Sequence, residues 1–175
     1  IQHVGSTSIK SIKAKPIIDI AVGTDDFNRI LSHEAELLKA GYHYRPNQDM
    51  GGAQLLFACG SYYEGGDMQT HFIHVVKYNS MEWRNYINFR DYLNTYPEIA
   101  KQYEKVKTRL VEKLGSMGSR NDYVDGKAEF ISHTLRKAMV WSFLGKTVTM
   151  KTDRPLGYVH RKSGYELVYP LNYGY

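Results

Sequence analysis

The order of segments along this chain predicts an α+β fold, a mixed β-sheet with a helical block packed on one face or end. Strand-like segments come first, with one helix among them, and three helical segments follow. Pro16–Val22, rich in isoleucine and apolar on both faces, reads as an interior strand. Hydrophobic content of 42% and charged content of 23% suit a globular chain able to bury a core.

Ile1–Val4 reads as the end of a strand entering a Gly5-Ser6 turn, with Ser6, Thr7 and Ser8 placed to cap a short helix near Ile9. Asp25–Ala40 carries apolar residues at 27, 30, 31, 35, 37 and 38, a helical spacing that stops at Gly41. A short strand at Tyr42–Arg45 and a loop at Pro46–Gly52 follow. Strands at Ala53–Cys59 and Gln69–Lys77 are joined by a glycine-rich hairpin, Gly60–Asp67. Ser80 is placed to cap a helix to about Thr95, and Pro97 opens another that ends at Gly115. A third helix spans about Tyr123–Leu144. Asp25 and Asp26 lie where they would cap the helix that follows them.

Composition shifts at Lys146. Thr147–Lys151 alternates like a new strand, and the remainder is dense in Gly, Pro and Tyr. So short a piece cannot bury a core of its own. The expected division is therefore 1–145 as one domain and 146–175 as the truncated start of a second, with an irregular extension wrapping the first as the alternative. Without an initiator Met, and with Ile1 reading as already inside a strand, a preceding helix is expected to be missing.

One cysteine, Cys59 in an apolar run, excludes an internal disulfide and a cysteine-based zinc site and reads as a small core residue. No segment has the length and apolarity of a membrane span and no signal peptide is evident, so a cytoplasmic protein with no membrane partner is expected. A net charge of +5 is compatible with polyanionic ligands. The basic residues are dispersed without an aromatic-basic stacking motif. Nucleotides or other small phosphorylated ligands are therefore expected rather than nucleic acid.

The Gly5-Ser6 turn can bring backbone N–H groups and a hydroxyl to phosphate oxygens. After twelve intervening residues, Asp19 interrupts an apolar strand. A carboxylate there needs a metal, a base or a hydrogen-bond donor, or a salt bridge to Lys13 or Lys15. On Gln69–Lys77, Phe72, His74 and Val76 share one face by the strand period. His74 is then either a satisfied structural residue or a metal ligand, phosphate contact or general base. Arg90 projects from an apolar helical stripe and either pairs internally, with Asp91 or Glu129, or reaches a phosphate. Lys127 is either a snorkelling surface lysine or a second such contact.

Val4-Gly5-Ser6 followed by Asp19-Ile20-Ala21-Val22 resembles the signature of the nucleotidyltransferase superfamily. The run His3–Ser8 with Ala14–Asp19 is similar, more narrowly, to the GrpB family. Agreement continues through Thr70–Val76, Trp83, Asn88–Leu93, Pro97 and the Tyr123–Ile131 cluster, spanning about 1–145. The resemblance implies a nucleotidyltransferase-like sheet and a Mg²⁺-dependent transfer of a nucleotidyl group with release of pyrophosphate. It implies Asp19 and His74 as catalytic and metal-binding residues. Gly5, Ser6, Thr7, Ser8, Lys15, Arg90 and Lys127 become the candidate phosphate contacts. Ala21 stands where the superfamily carries a second metal-binding carboxylate, which points to the alternative of a non-catalytic nucleotide-binding module. Phe72 stands where the family often carries a second histidine.

Thr152–Gly157 and Val168–Tyr175 separately resemble the early part of soluble inorganic pyrophosphatases. That likeness implies Arg154 as a phosphate contact and Tyr173 beside an active site. The aspartate-rich metal motif expected beyond is absent from the sequence, so this segment is expected to be inactive by itself, and a bifunctional protein is the further alternative.

Overall fold

The computed structural model describes residues 1–61, 68–114, 120–145, 157–161 and 164–168. Five strands form one mixed sheet: β1 Gln2–Val4, β2 Ile18–Thr24, β3 Tyr42–Tyr44, β4 Gln54–Ser61 and β5 Met68–Lys77. Their spatial order is β1-β2-β5-β4-β3, with β2 and β5 parallel and the other neighbours antiparallel. A separate antiparallel hairpin joins β6 Gly157–Arg161 to β7 Gly164–Val168. The expected α+β layout, strands before a helical block, is thus present.

The apolar alternation of the central strands is covered on both sides. One face, with Val22, Ile73, Val75, Leu55 and Phe57, packs against the helices α1 Phe27–Leu31 and α2 Glu34–Lys39. The other face, with Val4, Ala21 and Val76, packs against Trp83, Tyr86 and Ile87 of α3 Met81–Thr95. Two longer helices, α4 Pro97–Leu114 and α5 Arg120–Phe143, pack on α3. Tyr92, Leu93, Ala100, Tyr103, Ala138 and Trp141 form the core among these three helices, and Ile9 inserts into it. None of the described helices is long and apolar enough to cross a membrane.

Three sequence expectations change. The helix expected over 25–40 is divided into α1 and α2. The Ser32 hydroxyl donates to the Arg29 carbonyl at 2.8 Å, a local bond that competes with helix continuation. Asp26 caps α1 as expected, accepting from the backbone N–H groups of Asn28 and Arg29. No helix begins at Ile9. Ser6–Ser8 is itself a single 3-10 turn, and Ile9 is extended so that its side chain can reach the helical core. Cys59 is only partly buried. Ser80 caps α3 by accepting from Trp83 N–H at 3.3 Å. Most of the Gly60–Asp67 connection, the strand expected at Thr147–Lys151, and both Arg154 and Tyr173 lie outside the described residues.

Candidate functional site

The site begins where β1 turns into the loop. Gly5 adopts φ 70°, ψ −171°, a region open almost only to glycine. A side chain there would also overlap the Asp19 carboxylate, which packs directly on Gly5. Val4 lies opposite Asp19 in the β1–β2 register, so the turn and the aspartate are held together by the sheet. The neighbouring hydroxyls brace the loop. Ser8 Oγ donates to Gly5 O at 2.6 Å, and Thr7 Oγ1 donates to Ile17 O at 3.3 Å and contacts His3 Nε2 at 3.0 Å. Of the three, Ser6 lines the cavity beside Asp19, with its hydroxyl 3.4 Å from Tyr103 OH.

Parallel pairing sets His74 opposite Ala21, on the same face as Asp19. His74 Nε2 stands 3.2 Å from Asp19 Oδ1. The partner that Asp19 meets is therefore this histidine, at hydrogen-bond distance, while Lys15 lines the same cavity. Ala21 is fully buried among Val4, Val76 and Trp83, in apolar core beside the Asp19–His74 pair.

Behind His74 runs a chain of polar groups. Its Nδ1 lies 3.0 Å from Tyr86 OH, which donates to Gln54 Oε1 at 3.1 Å. Gln54, almost fully buried, donates from Nε2 to the Gln48 carbonyl at 2.9 Å. Burial, then the charges of Asp19 and Glu82, hold the Tyr86 phenol in its protonated form well beyond the usual range.

Asp19 and His74 open onto a cavity of about 380 Å³. Three lysines line it: Lys15, Lys107 and Lys127. Lys15 Nζ and Lys127 Nζ lie 5.4 and 4.9 Å from the centre of the Tyr123 ring, within cation–π range. Lys107 is 8% exposed; its Nζ donates to Lys13 O at 3.0 Å and lies 4.8 Å from the Tyr103 ring centre. Burial, and then Lys127, push the Lys107 ammonium pKa down, while Glu104 opposes them. Asp19 is the one carboxylate lining this cavity among the described residues. A shallower groove of about 880 Å³ shares Lys15, Lys107 and Tyr123 and continues along α4 past Lys101, Lys105 and Arg109.

Arg90 stands apart from the cavity. Its Nε donates to Asp91 at 2.8 Å, and its Nη1 to Gln2 Oε1 and His3 O at 2.8 and 2.9 Å. It takes the internal pairing that the sequence offered as one of its two roles. Gly5, Ser6, Asp19, Lys15, His74 and Lys127 are thus gathered, with Thr7 and Ser8 as braces. Sequence reasoning missed Lys107, Tyr123, Tyr86 and Gln54 as site residues. Lys107 had a readable signal, since Ala100, Tyr103 and Lys107 fall on one buried helical stripe.

The family model described as GrpB protein matches residues 1–137. The chain belongs to the GrpB family. It is 38% identical over 138 residues to the glutamate-rich protein GrpB of Alkalihalophilus pseudofirmus, covering 78% of this chain and 77% of that one. It is 30% identical over 141 residues to the UPF0157 protein YqkA of Bacillus subtilis, covering 81% of this chain but 39% of the relative. The crystal structure of conserved protein GrpB from Enterococcus faecalis superposes with a TM-score of 0.70 at 27% identity, covering 81% of each chain. All the residues lining the cavity fall inside the GrpB match, and the hairpin β6–β7 falls beyond it.

Proposed function

We propose that this GrpB-family chain binds a nucleotide or similar small phosphorylated ligand in the Asp19–His74 cavity and transfers its nucleotidyl group to an acceptor. The observation that carries the reading is the convergence of Lys15, Lys107 and Lys127 on a cavity with a single carboxylate. Such an excess of cations in a recess favours a ligand with several phosphate charges. Ser6 supplies a hydroxyl at the same wall, and Tyr123 orders two of the lysines.

One Mg²⁺ fits this donor set, held by Asp19 and by phosphate oxygens of the ligand. When bound it would offset charge on the phosphates during transfer. A second ion does not fit, because Ala21 offers no oxygen and packs beneath Trp83. In the proposed transfer an acceptor oxygen attacks the α-phosphorus. The bond to the β-phosphate bridge breaks, and pyrophosphate leaves with that oxygen. His74 Nε2, at the cavity wall, takes the acceptor proton. The burial of Ala21 equally favours a second reading, a binding module without catalysis.

Calorimetric titration with ATP and with pyrophosphate, with and without Mg²⁺, tests the binding reading. Lys107→Met and Lys15→Met should each weaken pyrophosphate by roughly ten-fold, the worth of one charge-assisted contact. Unchanged affinity in both variants, or no binding by the parent, overturns it. Phosphorus NMR then separates the two readings: pyrophosphate formed from ATP and an acceptor mixture supports transfer, and its absence supports the module. The pyrophosphatase-like likeness of the tail belongs to the same proposal, since such an activity would consume the released product.

A further inference from the structure

Basic residues that lie dispersed along the sequence are gathered by the fold on one side of α4. Lys13 and Lys15 come from the loop after the Ser6–Ser8 turn, and Lys101, Lys105, Lys107 and Arg109 come from α4. Together they line the groove of about 880 Å³. Two bonds tie the loop to the helix at Lys13. Its N–H donates to Glu104 Oε1, and its carbonyl accepts from Lys107 Nζ at 3.0 Å. Among the described residues only two carboxylates, Glu104 and Glu112, line the groove beside these six cations. Glu104 is already engaged, by Lys13 N–H and by Lys101 Nζ at 2.8 Å. Lys105 and Arg109 are exposed and enter no ion pair among the described residues.

Such an excess of positive charge along an open groove selects an anionic partner. The spacing of the charges indicates its shape. Lys101, Lys105 and Arg109 recur every four residues, so they share one face of α4 and stand about 6 Å apart along its axis. In an extended peptide, alternate side chains leave the same side about 6.6–6.8 Å apart. Single-stranded nucleic acid asks instead for open aromatic faces on which bases stack. Tyr123 is the one aromatic residue lining the groove among the described residues, and Lys15 Nζ and Lys127 Nζ already lie over its ring.

We propose that the groove docks an extended acidic segment of a partner protein, rich in aspartate and glutamate. Lys15, Lys107 and Tyr123 line the groove and the Asp19–His74 cavity alike, so a residue of the docked segment lies at the mouth of the cavity. The segment is thereby the acceptor. A serine, threonine or tyrosine hydroxyl oxygen of it bonds to the α-phosphorus of the bound nucleotide. The bond to the β-phosphate bridge breaks, its electron pair leaves on pyrophosphate, and the hydroxyl proton passes to His74 Nε2. This acceptor role rests on the transfer reading of the cavity, whereas the docking itself does not.

The test uses the full chain and a fluorescent peptide, Ser-Glu-Ala-Glu-Ala-Glu-Ala-Glu-Ser, followed by anisotropy at about 0.15 M salt. The peptide should bind, with an affinity that falls as salt is raised. Exchanging its glutamates for glutamine should abolish binding. Lys105→Glu combined with Arg109→Glu reverses two exposed charges and leaves the core intact. That double variant should weaken the peptide by roughly ten-fold or more. Its pyrophosphate affinity should stay within about two- to three-fold of the parent, because neither residue lines the cavity. With ATP and Mg²⁺ added, mass spectrometry should find the nucleotidyl group on a serine of the peptide. No binding, equal binding of the glutamine peptide, or undiminished affinity in the double variant overturns the docking site. Tighter binding of an oligothymidylate of matching length assigns the groove to nucleic acid and overturns it as well. A peptide that binds and stays unmodified overturns the acceptor role. Failure of pyrophosphate to bind a protein that still binds the peptide overturns the phosphate reading of the cavity alone, so the two fail separately.

Discussion

At the scale of single residues, the site depends on one atom that is missing. Gly5 lacks a Cβ, and the space a Cβ would fill is occupied by the Asp19 carboxylate. Gly5→Ala must therefore both strain the backbone, by about 1–3 kcal/mol in this region of φ and ψ, and push Asp19 away from His74. The expected outcome is a folded protein whose unfolding free energy in urea is lowered by that amount and whose metal and phosphate affinity are reduced together. Equal stability and affinity to the parent would show that the turn is not required. Much of this corner was legible beforehand. A carboxylate on an apolar strand announces a partner, and strand period alone placed His74 on one face with Phe72 and Val76. What could not be read was that Ala21 and His74 lie opposite each other, because strand pairing joins residues 53 positions apart in the sequence. Gln54 and Tyr86 were hidden for the same reason. Each looks like an ordinary residue of an apolar element until the fold sets them behind the histidine.

Among the elements, α3 is the part that assembles the site. Through Trp83 and Tyr86 it closes the sheet face beside Asp19 and His74. Through Asn94 it holds the loop after the turn, exchanging bonds with Ser8 O and Lys10 N at 3.0 Å each. Arg90 completes the attachment to β1. Its bonds to Gln2 and His3 are those of a charged donor, so Arg90→Met should lower stability by about 1.5–3 kcal/mol. Phosphate affinity of the remaining cavity should stay within two- to three-fold of the parent, because Arg90 does not line it. Equilibrium urea unfolding alongside pyrophosphate titration checks both halves. A large loss of affinity with little loss of stability would restore Arg90 to the phosphate site. The helices of this block were readable from Ser80, Pro97 and their apolar spacing. The break between α1 and α2 was not, since Ser32 and His33 leave the helical pattern of 25–40 intact and only the serine's bond to Arg29 divides it.

For the whole molecule, the buried lysines and tyrosines set an unusual dependence of stability on pH. Lys137, on α5, is buried, and burial pushes its ammonium pKa down to about 8. Lys107 is shifted in the same direction. In the unfolded chain a lysine keeps its proton to about 10.5. Between these values the unfolded state binds more protons, so stability rises with pH through this window. Tyrosines act with the opposite sign. Burial, then Tyr96 and Glu98, raise Tyr92 to about 12, and Tyr86 and Tyr103 are raised as well. Above about 10 the unfolded tyrosines lose protons that the folded ones keep, so stability falls. Net positive charge also vanishes near pI 9.1, which relieves self-repulsion over the same range. The urea midpoint should therefore be highest between about pH 9 and 10, above the range where most proteins are most stable. It should be lower at pH 7 and lower again at pH 11. Lys137→Met should make the rise from pH 7 to 9 smaller and leave the fall above pH 10 unchanged, because part of the lysine contribution has been removed and the tyrosines are untouched. A maximum at pH 7 in the parent would mean that the lysines are solvated in the folded chain, and with them the cationic wall would lose its low-dielectric setting.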